Sequence, residues 1–280
     1  MSTPKVLLIF GAGPKVGLAT VKKFSSEGYK VAAVSRHPSE ELKKIADLIV
    51  PLDLKDPTQI QPLFENVTKQ LGPPHVVVYN AFDVQVVDST HPLQVSTARL
   101  TESLAVNVVS PYTAAVEAVR RWKVLPDDGT VSKTFLFTGN MSTTQAWPFS
   151  HSLGIGKNGT AYWLETAAAT YKGDKHGRFY YVDERGEDGE SVYHLNDAAA
   201  HADEFWKLSE EVKGQSHWNW TFVKGKGYVR NRAAVEREFR GWGFDLSGYP
   251  EGGFAYDEFS RLAAENEDVK AKLAELGIHT

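Results

Sequence analysis

Three features of the sequence predict a doubly wound, parallel α/β sheet. Short uninterrupted apolar runs recur along the chain, beginning with KVLLIF (5–10), YKVAAVS (29–35) and HVVVYNA (75–81). Stretches with helical apolar spacing separate them, and the first run opens directly into a glycine-rich turn. Continuous apolar runs of this length fit strands buried on both faces. Strand–helix alternation at this spacing builds right-handed βαβ units.

The elements follow in order. After the first strand, GLATVKKFSSEG (17–28) sets Leu18, Val21 and Phe24 on one helical stripe and stops at Gly28. A short helix, SEELKKIA, follows the second strand, and DLIVPLDL (47–54) reads as the third. DPTQIQPLFENVTKQLG is a helix with Asp56 as its N-cap, since an aspartate oxygen can accept from the first free N–H groups. A long helical tract from about Thr97 to Trp122 leads to a fifth strand, KTFLFTG (133–139), and KNGTAYWLETAAATY is helical again. RFYYVDE (178–184) and WNWTFVKG (218–225) complete the set of strands.

Two regions break the rhythm. Residues 183–211 read as a polar loop followed by a helix carrying Phe205, Trp206 and Leu208. The expected division is a dinucleotide-binding domain over 1–225 and a C-terminal extension over 226–280. That extension is rich in glycine and aromatics, ends in a charged helix, and is too short for a core of its own. It is expected to pack on the domain or to form a contact in a homo-oligomer.

Composition excludes several classes of function. The net charge of −4 has no long block of one sign, which argues against nucleic acid and anionic membrane partners. With no cysteine there is neither a disulfide framework nor a thiolate nucleophile. His194 and His201 are seven apart without a third ligand, so no metal site is expected. No apolar stretch reaches the ~20 residues of a membrane helix, and the N-terminus lacks a signal-peptide pattern. A cytoplasmic protein acting on a small molecule is the expectation.

The turn IFGAGPKVGLA sits where a dinucleotide pyrophosphate would meet backbone N–H groups and a helix N-terminus. Gly11, Gly13 and Gly17 space it as G-x-G-x-x-x-G, with Lys15 and Val16 inside. Lys15 either adds positive charge there or points to solvent. Arg36 follows the second strand, where a carboxylate would bind a ribose 2′-hydroxyl. Its guanidinium fork suits a 2′-phosphate instead, which favours NADP(H) over NAD(H). Asp53, ending the third strand, either accepts from an adenine amine or caps a loop.

Taken together these segments resemble the short-chain dehydrogenase/reductase superfamily over about residues 5–225. The turn is similar to its T-G-x-x-x-G-x-G motif, with Phe10 for the threonine and Lys15 for the middle glycine. YNAF (79–82) is similar to N-A-G, keeping Asn80 and Ala81, with Phe82 for the glycine. LAVNVVSPY matches the helix whose asparagine, here Asn107, supports the active-site lysine through water. Lys157 corresponds to the lysine of Y-x-x-x-K. The resemblance implies a Rossmann-type fold, with Gly11, Gly13, Lys15, Val16, Gly17, Arg36, Asp53, Asn80, Ala81 and Lys157 holding the cofactor.

The departures fall on the chemistry. Four residues before Lys157 the family's tyrosine, which protonates the substrate oxygen, is replaced by Leu153 in the segment SLGIGK. Asn140, flanked by Thr138, Ser142 and Thr143, best matches the family's serine and would hydrogen-bond the substrate. Three accounts follow. A reductase could draw its acid from elsewhere, with His151 a better candidate than Ser152 or Tyr162 because an imidazole titrates near neutrality. A substrate such as an iminium needs no acid, since hydride addition neutralises its charge. Members of the family lacking the tyrosine include reductases of this kind that also template a cyclisation. Lastly, the domain could bind NADPH without turnover. Trp147, Phe149, Tyr193, Phe205 and Trp206 fall where the family's substrate loops lie and would line a large apolar pocket. Asp183, Glu184 and Arg185 replace the family's proline–glycine, either as a solvated loop or as stabilisers of a cationic substrate.

Overall fold

The computed structural model of the protein describes residues 4–126, 132–171, 177–192 and 195–230, with 265, 267, 270 and 271 in the C-terminal region. Two compact units divide the chain, Met1–Arg237 and Glu238–Thr280. In the second, Lys270 Nζ pairs with Glu267 Oε1 at 2.8 Å, one helical turn away. The expectations for the aromatic-rich tail lie outside the described residues.

The first unit carries an eight-stranded sheet. In chain order the strands are β1 (Val6–Phe10), β2 (Lys30–Val34), β3 (Leu48–Val50), β4 (Val76–Tyr79), β5 (Thr134–Thr138), β6 (Arg178–Arg185), β7 (Asn219–Val223) and β8 (Gly227–Tyr228). Their order across the sheet is β3-β2-β1-β4-β5-β6-β7-β8. All pairs are parallel except β7–β8, a short hairpin past Gly225. The third strand is shorter than its sequence implies. It ends at Val50 because Pro51 has no N–H to donate.

Strand alternation splits the core in two. Val6, Leu8 and Phe10 of β1 face α3 (Ile60–Leu71), α5 (Ser110–Trp122) and α6 (His151–Thr170). Leu7 and Ile9 face α1 (Val16–Ser26), α2 (Glu40–Ile45) and α7 (Ala198–Trp206). Asp56 caps as expected, its Oδ1 accepting from Thr58 N–H at 3.1 Å in a short turn that leads into α3. The tract from Thr97 is interrupted. After α4 (Thr97–Leu104), one π-helical turn (Ala105–Val109) joins it to α5.

α6 begins earlier than the sequence implies, at His151, so SLGIGK lies inside the helix. Leu153 and Lys157 are therefore four apart on one helical face. The connections leave β1 in one direction for β2 and β3 and in the other for β4. A doubly wound sheet opens its crevice at that reversal, beyond the carboxyl ends of the strands.

Candidate functional site

At the end of β1 the chain turns through Gly11, whose φ of +79° is disfavoured for residues with a side chain. The N–H groups of Gly11 and Ala12 both donate to Val34 O at 3.0 Å, tying the turn to β2. Gly17 lets α1 start close by: a Cβ there would sit 2.5 Å from Gly11 O. A Cβ on Gly13 would meet nothing within 4 Å, so the backbone is open on that side. Lys15, the residue before α1, supplies no side-chain cap to the helix N-terminus. Open backbone and a helix N-terminus without a side-chain cap are features that can hold an anion.

That turn forms one wall of a cleft of about 690 Å³, which also takes in Arg36, Asp53, Asn80, Ala81, Asn140, Leu153 and Lys157. Arg36 is exposed and makes no salt bridge among the described residues. Asp53 caps its loop, with Oδ1 accepting from Lys55 N–H at 3.1 Å, and lines the cleft as well. Asn80 acts as a clamp. Its Nδ2 donates to Gly11 O at 2.8 Å, and its Oδ1 accepts from Thr138 Oγ1 at 2.9 Å.

Lys157 reaches the cleft from α6 and is almost wholly buried. Its Nζ donates to Thr138 O at 2.6 Å and lies 4.4 Å from the centre of the Phe137 ring. Burial pulls its pKa down to about 7, with Asp183 pulling the other way. Asn140 is held by its backbone: its N–H donates to Tyr181 Oη at 3.0 Å, and that hydroxyl donates to Asn140 O at 2.9 Å.

Asn107 lies on the π-helical turn, fully buried. Its Oδ1 accepts from Asp83 N–H at 3.0 Å, and its Nδ2 donates to Asp83 O at 2.6 Å and to Ser103 Oγ at 3.1 Å. The side chain is taken up in holding the Phe82–Asp83 loop rather than pointing to Lys157. Thr160 Oγ1 donates to Asn107 O at 2.6 Å, satisfying a carbonyl next to the break in the helical ladder.

The family profile described as short chain dehydrogenase matches residues 5–172. The chain belongs to the short-chain dehydrogenase/reductase family, an oxidoreductase family. A curated relative from Cryptosporiopsis sp. (strain 8999), named short chain dehydrogenase/reductase dmxR12, is 37% identical over 241 residues, covering 82% of this chain and 95% of its own. Among solved structures, BdcA in complex with NADPH superposes with a TM-score of 0.62 at 18% identity, over 82% of this chain and 97% of that one. A short chain dehydrogenase from Burkholderia cenocepacia J2315 in complex with NADP gives 0.63 at 17% identity, over 80% of this chain and 98% of that one.

Several expectations for this short-chain dehydrogenase need correction. His151 opens α6 but does not line the cleft; it lies about 200° around the helix from Leu153. Its Nδ1 is buried without a hydrogen-bond partner. Ser152 is buried too, its Oγ accepting from Gln85 N–H at 3.1 Å. Phe205 and Trp206 pack on α1, where Trp206 meets Phe24 edge-on at 5.3 Å. Trp147 and Phe149 stack on each other 6.1 Å apart, outside the cleft lining. Tyr193 and His194 lie outside the described residues.

Residues 183–185 are no solvated loop. They finish β6, all buried, with Arg185 Nε donating to Asp183 Oδ2 at 2.6 Å. Glu184, on the opposite face, accepts from Asp197 N–H at 2.7 Å and lies 3.1 Å from His201 Nδ1. Burial raises the pKa of Asp183 while Arg185 opposes the shift.

Phe82 and Asp83 line the cleft, as does Asn196, and composition gave none of these a role. Phe82 is 60% exposed, a large aromatic left open in the wall. Asp83 is paired with Arg99, Oδ1 to Nη2 at 2.7 Å. The available signal was the substitution of Phe82 for a glycine in an otherwise kept N-A-G segment. Among the described residues no helix is long and apolar enough to cross a membrane, and no cluster of His, Asp and Glu is arranged to hold a metal.

Proposed function

We propose that this protein binds NADPH across the cleft and reduces a C=O or C=N bond of a bulky, largely apolar organic molecule. The observation that carries the reading is the shared cleft. It joins an open glycine turn, an exposed Arg36 and a buried Lys157 at the reversal point of the sheet. The residues fit a dinucleotide: Gly13 and the N-terminus of α1 would take the pyrophosphate, Arg36 the 2′-phosphate, and Lys157 a ribose. When bound, the nicotinamide supplies a hydride.

The protein's own part is positioning and charge. Asn80 fixes the glycine turn against β5, Tyr181 fixes the Asn140 backbone and Ser142 N–H takes its Oδ1, leaving Asn140 Nδ2 to donate to a substrate oxygen or nitrogen. Leu153 and Phe82 give the cleft apolar walls, which supports a substrate with a substantial apolar or aromatic body. Leu153 in place of an acid also supports a second reading, a cyclase or other non-redox enzyme that keeps the cofactor fold.

Titration with NADPH and NADH, followed by cofactor fluorescence, tests the proposal. Selective binding of NADPH is the expected result. Binding of neither cofactor would remove every hydride reaction from consideration.

A further inference from the structure

We propose that Lys157 is itself the proton donor of this site, taking the role that Leu153 leaves empty. The inference rests on the reductase reading above and concerns a question that reading leaves open.

The geometry argues by what surrounds the reacting end of the cleft. Leu153 stands one turn before Lys157 on the same helical face and carries no exchangeable proton. Thr138 and Asn80 bond to each other, and Asn140 offers only an amide. The Asp83 carboxylate is neutralised by Arg99. His151 does not line the cleft. Lys157 remains, an ammonium with three donors: one is committed to Thr138 O and one would serve the ribose, which leaves one for the substrate.

Burial favours release of a proton, while the groups that touch the amine hold it as an ammonium. β5 presents the face of Phe137 and the carbonyl of Thr138, and α6 itself presents Leu153. The charged group that bears on it is Asp183 of β6, which is itself committed to Arg185. Burial brings the amine to about 7, where an acid both holds and yields its proton at neutral pH.

The step balances. Reduction of a carbonyl adds a hydride from NADPH to carbon and one proton to oxygen, giving an alcohol and NADP⁺. The Nζ–H bond breaks and the O–H bond forms; the neutral amine then recovers a proton from water. A neutral imine would need the same proton on nitrogen. A preformed iminium would not.

The test uses full-length protein with ¹³C at the lysine ε-carbons, the Lys157 signal being assigned by its loss in Lys157→Met. Its titration midpoint is expected near 7, far below that of the surface lysines. A midpoint near 10.5 would overturn the assignment. NADPH oxidation is then followed with 9,10-phenanthrenequinone and with N-methyl-3,4-dihydroisoquinolinium as probes. Quinone reduction should fall as pH rises through the Lys157 midpoint and drop about 10²-fold or more in Lys157→Met, whereas the iminium reaction should fall far less. Lys157→Arg should not rescue, since a guanidinium holds its proton too tightly. Quinone reduction with an unchanged pH profile in Lys157→Met would overturn the proposal. Failure of the reductase reading itself shows separately, as no fluorescence change with NADPH, and leaves the lysine titration to be read on its own.

Discussion

Gly156 of α6 presses against Asn107 so closely that a Cβ on the glycine would lie 2.4 Å from the Cβ of the asparagine. Three glycines in SLGIGKNG weaken α6 by about 1 kcal/mol each relative to alanine. Gly156 shows what the weakness permits, the contact of α6 with the π-helical turn that holds the Phe82–Asp83 loop. Gly156→Ala is expected to destabilise, because overpacking of about 1–3 kcal/mol exceeds the gain in helix propensity. Gly154→Ala has the opposite expectation. Its Cβ would meet nothing nearer than Ser142 Cβ at 3.9 Å, an ordinary contact, so stability should rise by up to about 1 kcal/mol. Urea denaturation of the two variants checks the pair; equal effects would refute the packing argument.

Arg36 is expected to set cofactor choice. The guanidinium is exposed at the cleft and unpaired among the described residues, so removing it should disturb little else. Arg36→Glu should weaken NADPH binding by at least about tenfold while sparing NADH, because a carboxylate repels a 2′-phosphate and accepts from a 2′-hydroxyl. Fluorescence titration with both cofactors measures it. Unchanged NADPH affinity would show that Arg36 does not meet the 2′-phosphate.

How far the sequence could be read depended on whether a property was local. Strands β1, β2 and β4 are continuous apolar runs, and the turn at Gly11 announces its backbone in its residues. Arg36 was placed by counting from β2. What neighbours do to one another was less legible. Phe205 and Trp206 share an apolar face of α7, but nothing in that periodicity said the face meets α1 rather than a substrate. Asp183, Glu184 and Arg185 looked like a loop because charges are usually solvated. The usable signal was spacing: residues two apart on a strand share a face, so Asp183 can neutralise Arg185. Asn107 stands out by its motif, but its hold on Asp83 depends on a loop whose path no pattern encodes.

The Asp183–Arg185 pair gives a stability prediction. Both side chains are almost fully buried, and Arg185 also donates to Gly189 O at 3.1 Å. Arg185→Met would strand a buried carboxylate, a loss of about 3–5 kcal/mol. The pKa of Asp183, already raised by burial, should rise further once its opposing guanidinium is gone. Adding Asp183→Asn removes the stranded charge and should recover part of the loss. A double variant no more stable than Arg185→Met alone would mean that the guanidinium matters through its other bonds.

Lys157 makes the stability of the cofactor-free protein depend on pH in a direction that can be worked out. Burial lowers the folded-state pKa to about 7 from the ordinary lysine value of 10.5. Below pH 7 both folded and unfolded chains hold the proton, and the folded state bears the full penalty of a buried ammonium. Between 7 and 10.5 the unfolded chain binds a proton that the folded chain has released. Stability from this group therefore rises with pH across that window. Lys157→Met deletes the group, so the variant should exceed the parent in stability by most at pH 6, with the gap narrowing by about 1.4 kcal/mol per pH unit above pH 7. Urea denaturation of both proteins at pH 6, 8 and 9.5 cancels every other titrating group that they share. A gap constant across the three values would mean that Lys157 keeps an ordinary pKa in the fold, and with it would go the case for this lysine as the proton donor at neutral pH.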